Sequence, residues 1–328
     1  MSPFYWLRTP VALLRTLHEF KGTFCCMPNF AFNHCVRNIR DRELEGLDLS
    51  HCRSMYSGAE PIRQDTIEAF ARRFAAYGLR RTALKSSYGL AENVLTVSFM
   101  QGDGPPRADR VGLADLQIHR RAVPVASEEP GGTTVVSTGP PIPSTEVEIR
   151  DARGQRLPER SVGEITVRSS HMLTTYYRRP EVAARVLRDG WLHTGDLGYL
   201  ADGEVYVCGR EKDLIIVGGS NIFPEDVESL ADAVPGVQPG RAVAFGVSDE
   251  RLGTERVVIV CELRQPPIDT DARTVELELR RRVVQDLGVT IGEVRFVDRG
   301  WIIKTSSGKL ARSANRDKYL KEAVRDHG

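Results

Sequence analysis

The chain has 328 residues, and its 45 Lys and Arg residues against 44 Asp and Glu residues give a formal net charge of +1. Proteins that bind duplex nucleic acid through its phosphates favour a clear basic excess, so this balance argues against that class. With 41% hydrophobic and 27% charged residues, the composition excludes a mostly disordered protein. The length corresponds to about two globular domains.

The cysteines form no Cys-x-x-Cys pair and show no zinc-finger spacing, so we expect reduced, mostly buried thiols in a cytosolic protein. The apolar stretch from Met1 to Phe20 is interrupted by Arg8, Pro10 and Arg15, unlike a signal peptide. No apolar run has membrane-spanning length, and we expect a cytoplasmic protein. The six cysteines are Cys25, Cys26, Cys35, Cys52, Cys208 and Cys261.

Two helices and one strand are predicted in the first hundred residues. Pro10–Phe20 has apolar residues on one face and a proline suited to a first helical position. Arg63–Tyr77 carries a clearer apolar stripe, and Gly78 can end that helix in a left-handed conformation. The strand is expected to lie between Ala83 and Tyr88 and to lead into a loop.

The segment 101–132 is polar and rich in Pro and Gly, which predicts a long loop. Loops of this length are uncommon in compact domains and are often functional. The sequence that follows reads as β-rich, because short apolar runs alternate with turn signals such as Asp202-Gly203. The predicted strands are Thr133–Ser137, Glu146–Ile149, Gly163–Val167 and Val205–Cys208.

From about Asp213 the elements alternate between helix and strand, which is typical of a small α/β domain. We expect an α/β fold with a β-rich segment, a large domain over 1–209, a hinge at 210–213 and a small domain over 214–328. The expected strands are Leu214–Val217, Arg241–Val247, Val257–Leu263 and Val294–Val297, and the expected helices are Pro224–Val234, Asp271–Leu287 and Leu310–Val324.

Two segments near predicted element ends are candidates for ligand binding. Ser57–Pro61 precedes a helix and has small residues that let a planar ligand approach the backbone, but on its own it is better explained as a tight turn that caps the helix at Arg63. Ser86–Glu92 contains a Tyr that can stack on a base and a Glu that can hold Mg²⁺. The alternative is a core aromatic followed by a carboxylate in the first turn of a helix.

Two further segments follow in the second half. Gly190–Leu197 places Asp196 between glycines, which indicates a strained turn aiming a carboxylate at a ribose diol, with Arg210 in Gly209–Asp213 reaching a phosphate or ribose. The alternative is a β-turn beside a surface ion pair, and we interpret His193 as structural. Lys304–Lys309 departs from a P-loop at both ends, so it is either a loop presenting one lysine or a plain solvated loop.

The order and spacing of these segments resemble the adenylate-forming superfamily of acyl-CoA synthetases, adenylation domains and luciferases. Within it the chain looks most like the C-terminal portion of fatty acyl-AMP ligases, and 101–132 lies where those ligases carry an insertion. Ala91, where most of the superfamily has Thr, suits this branch. The segments that carry the resemblance are Gly58–Pro61, Tyr88–Glu92, Gly163–Ile165, His193–Asp196, Gly209–Asp213 and Thr305–Lys309.

The resemblance implies that a fatty or other carboxylic acid reacts with Mg·ATP to give an acyl-adenylate. It also implies transfer of the acyl group to the phosphopantetheine thiol of an acyl carrier protein or of coenzyme A, for lipid, polyketide or nonribosomal peptide biosynthesis. The implied roles are Gly58, Ala59, Glu60 and Tyr88 at adenine, Gly89 in nucleotide binding, Glu92 at Mg²⁺, Asp196 and Arg210 at ribose, Lys309 at the carboxylate and α-phosphate, and Lys212 as hinge.

The superfamily's Ser/Thr/Gly-rich phosphate loop has no counterpart in this sequence. We therefore expect an acyl-AMP ligase that is complete only with an N-terminal fragment. The alternative from another class is a truncated, non-catalytic module that binds a nucleotide or a carrier protein. The resemblance implies that the small domain rotates about the hinge between the two reaction steps. Segment 101–132 either restrains this rotation, and so disfavours free coenzyme A as acceptor, or is an ordinary surface loop.

Overall fold

The computed structural model of the chain describes residues 1–249, 253–264, 271–305 and 308–326. It is a mixed structure, 32% helical and 33% strand, and the α/β fold class is confirmed. The helices are α1 (Pro3–Arg8), α2 (Val11–Glu19), α3 (Asn29–Asn38), α4 (Gln64–Phe74), α5 (Leu113–Gln117), α6 (Pro180–Val186), α7 (Pro224–Asp232), α8 (Ala272–Leu287) and α9 (Arg312–Asp326).

The strands are β1 (Phe24–Met27), β2 (Ser54–Ser57), β3 (Leu84–Tyr88), β4 (Ser98–Phe99), β5 (Ala108–Gly112), β6 (Gly132–Val136), β7 (Thr145–Arg150), β8 (Gly163–Ser169), β9 (Leu187–Arg188), β10 (Trp191–Ala201), β11 (Glu204–Arg210), β12 (Ile215–Val217), β13 (Ser220–Ile222), β14 (Val237–Asp249), β15 (Thr254–Leu263) and β16 (Ile291–Val297). The backbone divides into two compact units. The first comprises 1–111, 122–127 and 132–208, and the second comprises 112–121, 128–131 and 209–328.

The first unit contains two main sheets. In one, β1, β2 and β3 run parallel in that order and β4 joins antiparallel. Helices α2, α3 and α4 bury their apolar faces in the same core, where Phe32 and Phe70 meet edge to face. The other sheet has the order β11-β10-β8-β7, and Ile165 and Val167 of β8 are fully buried in its core.

The second unit contains the hairpin β12-β13 and the three-stranded sheet β14-β15-β16. Its larger core contains Val227 of α7 and Leu279 of α8 and also takes in Leu113 of α5. A smaller core joins β14 and β15 to Tyr319 of α9.

The predicted helices before and after the β-rich segment are confirmed. The stripe over Arg63–Tyr77 forms α4 followed by a 3₁₀ turn, Ala75–Tyr77, and Gly78 ends it at φ +80°. The prediction of a loop over 101–132 is only partly right, because this segment contains β5 and α5. The turn predicted around Asp196 is wrong: Gly190–Leu197 lies mostly inside the long strand β10, which carries an irregularity there.

The cysteines are free thiols, but the prediction that they are mostly buried holds for only half of them. Cys35, Cys52 and Cys261 are buried, whereas Cys26 is exposed. Burial raises the pKa of Cys35 to about 12, with the nearby Cys25 adding to the shift. Such thiols are poor nucleophiles near neutral pH, which fits a structural role.

Candidate nucleotide site

Two neighbouring parallel strands bring two of the candidate segments together. In the register of β2 and β3, Ser57 lies opposite Ser86, so the strands end at the same edge of the sheet. Gly58 and Gly89 follow these ends directly. In open α/β sheets, ligands bind in the crevice outside the carboxyl ends of the strands.

The two glycines are required by close packing between these loops. A Cβ atom at Gly58 would lie 2.7 Å from Oγ and 3.0 Å from the carbonyl oxygen of Ser87. A Cβ atom at Gly89 would lie 1.7 Å from the carbonyl oxygen of Leu95. Both contacts are shorter than side chains tolerate, so these glycines shape the site whether or not they touch a ligand.

Ala59 and Glu60 continue the first loop. Ala59 adopts φ +66°, a left-handed conformation that is strained for a residue with a Cβ atom. The Glu60 side chain accepts a hydrogen bond from the backbone N–H of Phe30, in the first turn of α3. A carboxylate is favourable at a helix N-terminus, so Glu60 anchors the loop to α3. The role of both residues at adenine remains a prediction.

Tyr88 and Asp196 lie 108 positions apart and meet in the interior of the first unit. The Tyr88 hydroxyl donates a 2.8 Å hydrogen bond to Oδ2 of Asp196. The two residues are only 8% and 6% exposed, so the pair is almost fully removed from water. The structure therefore brings together the aromatic residue and the carboxylate to which the resemblance assigns adenine and ribose.

Asp196 sits on a bulge of β10. His193 pairs with Thr166 of β8 and Leu197 with Glu164, so four steps along β10 match two along β8. Gly195, at φ +69°, allows the bend. The hydroxyl of Thr194 donates to the carbonyl of Ile165 at 2.7 Å and accepts from the N–H of Asp196 at 3.1 Å.

Glu164 completes the support of this bulge. Its Oε1 accepts a 3.1 Å hydrogen bond from the N–H of Gly195, and its Oε2 lies 2.6 Å from Nδ1 of His193. Sequence reasoning missed a role for Glu164 and Thr194. In the sequence, Gly163–Ile165 contributes only to the family resemblance. Pairing between two strands cannot be deduced from a single sequence. The contact with Glu164 gives His193 a structural partner, in agreement with its interpretation as a structural residue.

Glu92 lies in a 3₁₀ turn, Ala91–Asn93, just after β3. The hydroxyl of Tyr176 donates to its Oε1 at 2.7 Å, and the N–H of Leu173 donates to its backbone carbonyl at 2.7 Å. Burial, together with the hydrogen bond to Glu92, raises the pKa of Tyr176 to about 12. Tyr176 is a further site residue that the sequence did not reveal, since the loop carrying it has no periodic pattern.

The surroundings of Glu92 fit a magnesium ion bound together with a nucleotide. Its half-buried carboxylate supplies hard oxygen atoms, one of which already has a hydroxyl donor. Over the described ranges, no cluster of three or more His, Cys, Asp or Glu side chains forms a metal site. Mg²⁺ commonly uses one or two carboxylates with substrate phosphates and water, so a single carboxylate is compatible with it.

The remaining candidates belong to the second unit. Arg210 ends β11, and Lys212 lies in the 3₁₀ turn Glu211–Asp213; both side chains are exposed. Lys309 is exposed in a loop closed by the bridge between Lys304 and Leu310, and its N–H donates to Oγ1 of Thr305 at 3.1 Å. Ser306 and Ser307 of this motif lie outside the described residues.

Arg312, three residues after Lys309, is the centre of a buried charge cluster. Its guanidinium lies 3.1 Å from Asp213, 2.8 Å from Glu225 and 2.7 Å from Glu228. Burial raises the pKa of Glu225 to about 7, the Arg312 charge opposes this shift, and Glu228 adds to it. Burial alone would lower the pKa of Arg312, but its bond to Glu228 and the three carboxylate charges raise it overall.

In the described part of the chain, no helix combines the length and apolar character needed to cross a membrane.

A sequence model of the AMP-binding enzyme family matches residues 2–177. Long-chain-fatty-acid–AMP ligase FadD26 of Mycobacterium tuberculosis is 32% identical over 99% of this chain and 58% of its own length. The medium-chain-fatty-acid–[acyl-carrier-protein] ligase JamA of Moorena producens is 36% identical over 98% of this chain and 56% of its own.

A solved structure from a study of fatty acyl-adenylate ligases of E. coli and L. pneumophila superimposes with a TM-score of 0.88 at 32% identity, covering 98% of this chain and 57% of that one. The fold and these matches define a protein of the adenylate-forming superfamily, as the resemblance implied. The chain belongs to the AMP-binding enzyme family. It resembles the C-terminal portion of the fatty acyl-AMP ligases and spans about half the length of its curated relatives.

Proposed function

We propose that the chain provides the nucleotide site and the C-terminal catalytic unit of a ligase that converts a fatty acid to an acyl-adenylate. The observation that carries the proposal is the buried pair of Tyr88 and Asp196, formed in a member of the AMP-binding family. Tyr88 lies four residues before Glu92 in the sequence. A carboxylate with two acceptor oxygens suits the two hydroxyls of a ribose. An aromatic face suits an adenine ring.

In this reaction a carboxylate oxygen of the acid attacks the α-phosphorus of ATP. The bond to the bridging oxygen of the β-phosphate breaks, and pyrophosphate leaves with that electron pair. Asp196 holds the ribose, aided by Arg210, while the Gly58–Glu60 loop and Tyr88 hold adenine. Glu92 would hold Mg²⁺, and the ion would supply charge neutralisation on the phosphates. Lys309 brings a compact cation to the acid carboxylate and α-phosphate, where negative charge accumulates.

For the second step we propose transfer of the acyl group to a phosphopantetheine thiol. The thiolate attacks the acyl carbon, a thioester forms, and AMP leaves with the oxygen that joined it to the acyl group. An acyl carrier protein is the favoured acceptor, because the name of JamA specifies a carrier-protein ligase. We place the hinge between the two steps at Lys212, within 210–213.

We further propose that catalysis needs an N-terminal fragment equivalent to the remaining half of the relatives. Strand β1 forms the outer edge of its parallel sheet, and Phe24 on it is 63% exposed. Parallel sheets are normally covered, and unprotected edge strands are normally paired or blocked. A complementary fragment that covers this edge would satisfy both conditions.

Pyrophosphate release with fatty acids of different length, Mg²⁺ and ATP tests the proposal. We would assay the chain alone and together with the N-terminal half of a fatty acyl-AMP ligase relative. Turnover that requires the chain and disappears in Lys309→Ala supports it. No turnover from either folded preparation contradicts it. Binding of an acyl sulfamoyl-adenosine without turnover would instead identify a nucleotide-binding module.

A further inference from the structure

We infer that Glu164 is a positioning residue, which holds the bulge of β10 in the conformation that aims Asp196 at the ribose. The inference rests on the proposed function, because it concerns the same nucleotide site. Glu164 acts through the backbone beside Asp196, because its carboxylate accepts the N–H of Gly195.

The bulge places two more residues on β10 than on β8 between His193 and Leu197. Residues that leave the ladder lose their regular hydrogen-bond partners, and buried backbone N–H groups are costly when unpaired. Two side chains meet this need. Glu164 accepts the N–H of Gly195 at 3.1 Å, and Thr194 accepts the N–H of Asp196 at 3.1 Å.

Glu164 is well placed to act as a rigid support. It stands on β8 opposite Leu197, so its backbone belongs to the regular ladder beside the bulge. Its second carboxylate oxygen lies 2.6 Å from His193, whose side chain is 9% exposed, while that of Glu164 is 17% exposed. The carboxylate therefore ties both ends of His193–Gly195 to the neighbouring strand. Groups that hold a functional side chain through such contacts set its precision.

A purely structural role would weaken all ligands alike or only lower stability, whereas positioning acts through the ribose hydroxyls. We would titrate the full chain calorimetrically with an acyl sulfamoyl-adenosine and with its 2′,3′-dideoxy counterpart. Glu164→Ala is expected to weaken binding of the first by about tenfold, as for the loss of one charged hydrogen bond, and to change the second by less than about twofold. Glu164→Gln keeps an acceptor for Gly195 and should restore most of the affinity.

Glu148→Ala is the matched control. Glu148 lies on β7 in the same sheet, its side chain is 20% exposed, and it pairs with Arg150 rather than with the bulge. Equal loss for both ligands in Glu164→Ala, no loss for either, or the same selective loss in Glu148→Ala would overturn the inference.

Amide hydrogen exchange separates this inference from the proposed function, because it needs no ligand. Glu164→Ala should speed exchange at Gly195 and Asp196 by at least about tenfold, while Glu148→Ala leaves both rates unchanged. Unchanged exchange in Glu164→Ala rejects the positioning role. If exchange accelerates but the wild-type chain binds neither ligand, Glu164 supports the bulge and the nucleotide function fails.

Discussion

The hydrogen bond between Tyr88 and Asp196 allows a measurement of how strongly the site is organised before any ligand arrives. Tyr88→Phe keeps the ring in its core but removes a donor from a carboxylate that is 6% exposed. We expect the free energy of unfolding to fall by about 1–3 kcal/mol, the cost of leaving a buried polar group without one partner. Urea unfolding measures this change.

A double-mutant cycle with Asp196→Asn provides the control. If the two side chains act as a pair, Tyr88→Phe should cost clearly less in the Asp196→Asn background than in the wild type. Additive effects would show that the two residues stabilise the first unit independently, contrary to this account.

Gly89 gives the second prediction at the residue scale. The resemblance assigns it to the nucleotide, but the structure shows a packing requirement, since an added Cβ atom would lie 1.7 Å from the carbonyl oxygen of Leu95. We expect Gly89→Ala to cost more than about 3 kcal/mol, because backbone must move to accommodate it. Gly104→Ala is the control: its nearest contact would be a flexible methionine carbon, Met100 Cε, at 3.9 Å. Equal stability of the two variants in thermal unfolding would refute this reading.

At the scale of the elements, regular patterns were predictable and irregular ones were not. Helix α4 follows from its apolar stripe, and Gly78 from the left-handed stop that such a helix needs. The bulge in β10 was misread as a turn, because glycine and aspartate signal turns locally while Glu164 holds them in a strand from elsewhere in the sequence. Likewise the contact of Tyr176 with Glu92 joins residues 84 positions apart.

The charge cluster around Arg312 connects several elements of the second unit and gives a pH prediction. Asp213 follows the proposed hinge residue, while Glu225 and Glu228 lie on α7. Burial raises the pKa of Glu225 from 4.5 to about 7, so the folded state binds a proton that the unfolded state has lost in this range. The stability contributed by that proton is complete below pH 4.5 and is lost as the pH rises through 7.

Glu225→Gln removes this titration. Relative to the wild type, the variant should gain stability between pH 5 and pH 8, by about 3 kcal/mol for a shift of this size. Chemical unfolding of both proteins across that range measures the difference. Glu278→Gln is a control on α8, where hydrogen bonds from Arg281 and Arg282 hold the pKa of a half-buried carboxylate at about 2 and no change over this interval is expected. A constant difference for Glu225→Gln would contradict the assignment.

At the scale of the whole molecule, segment 101–132 contributes residues to both compact units. Besides the residues from 209 onwards, 112–121 and 128–131 group with the second unit, while 122–127 group with the first. Helix α5 contributes Leu113 to the core of the second unit, and Nδ2 of Asn221 donates to the carbonyl of Gln117 at 2.7 Å. These contacts attach α5 to the second unit. They favour the hypothesis that 101–132 restrains the rotation of the small domain.

Leu113→Ala tests that hypothesis. The side chain is 8% exposed, and truncating a buried leucine typically costs about 2–5 kcal/mol, enough to release a five-residue helix. Amide exchange should accelerate across α5. Ile118→Ala, at a side chain that is 52% exposed, should leave exchange unchanged.

In a reconstituted ligase the released segment should raise acyl-coenzyme A formation relative to acyl-carrier formation. If α5 is released and that ratio does not move, the segment is an ordinary surface feature and the choice of thiol is made elsewhere.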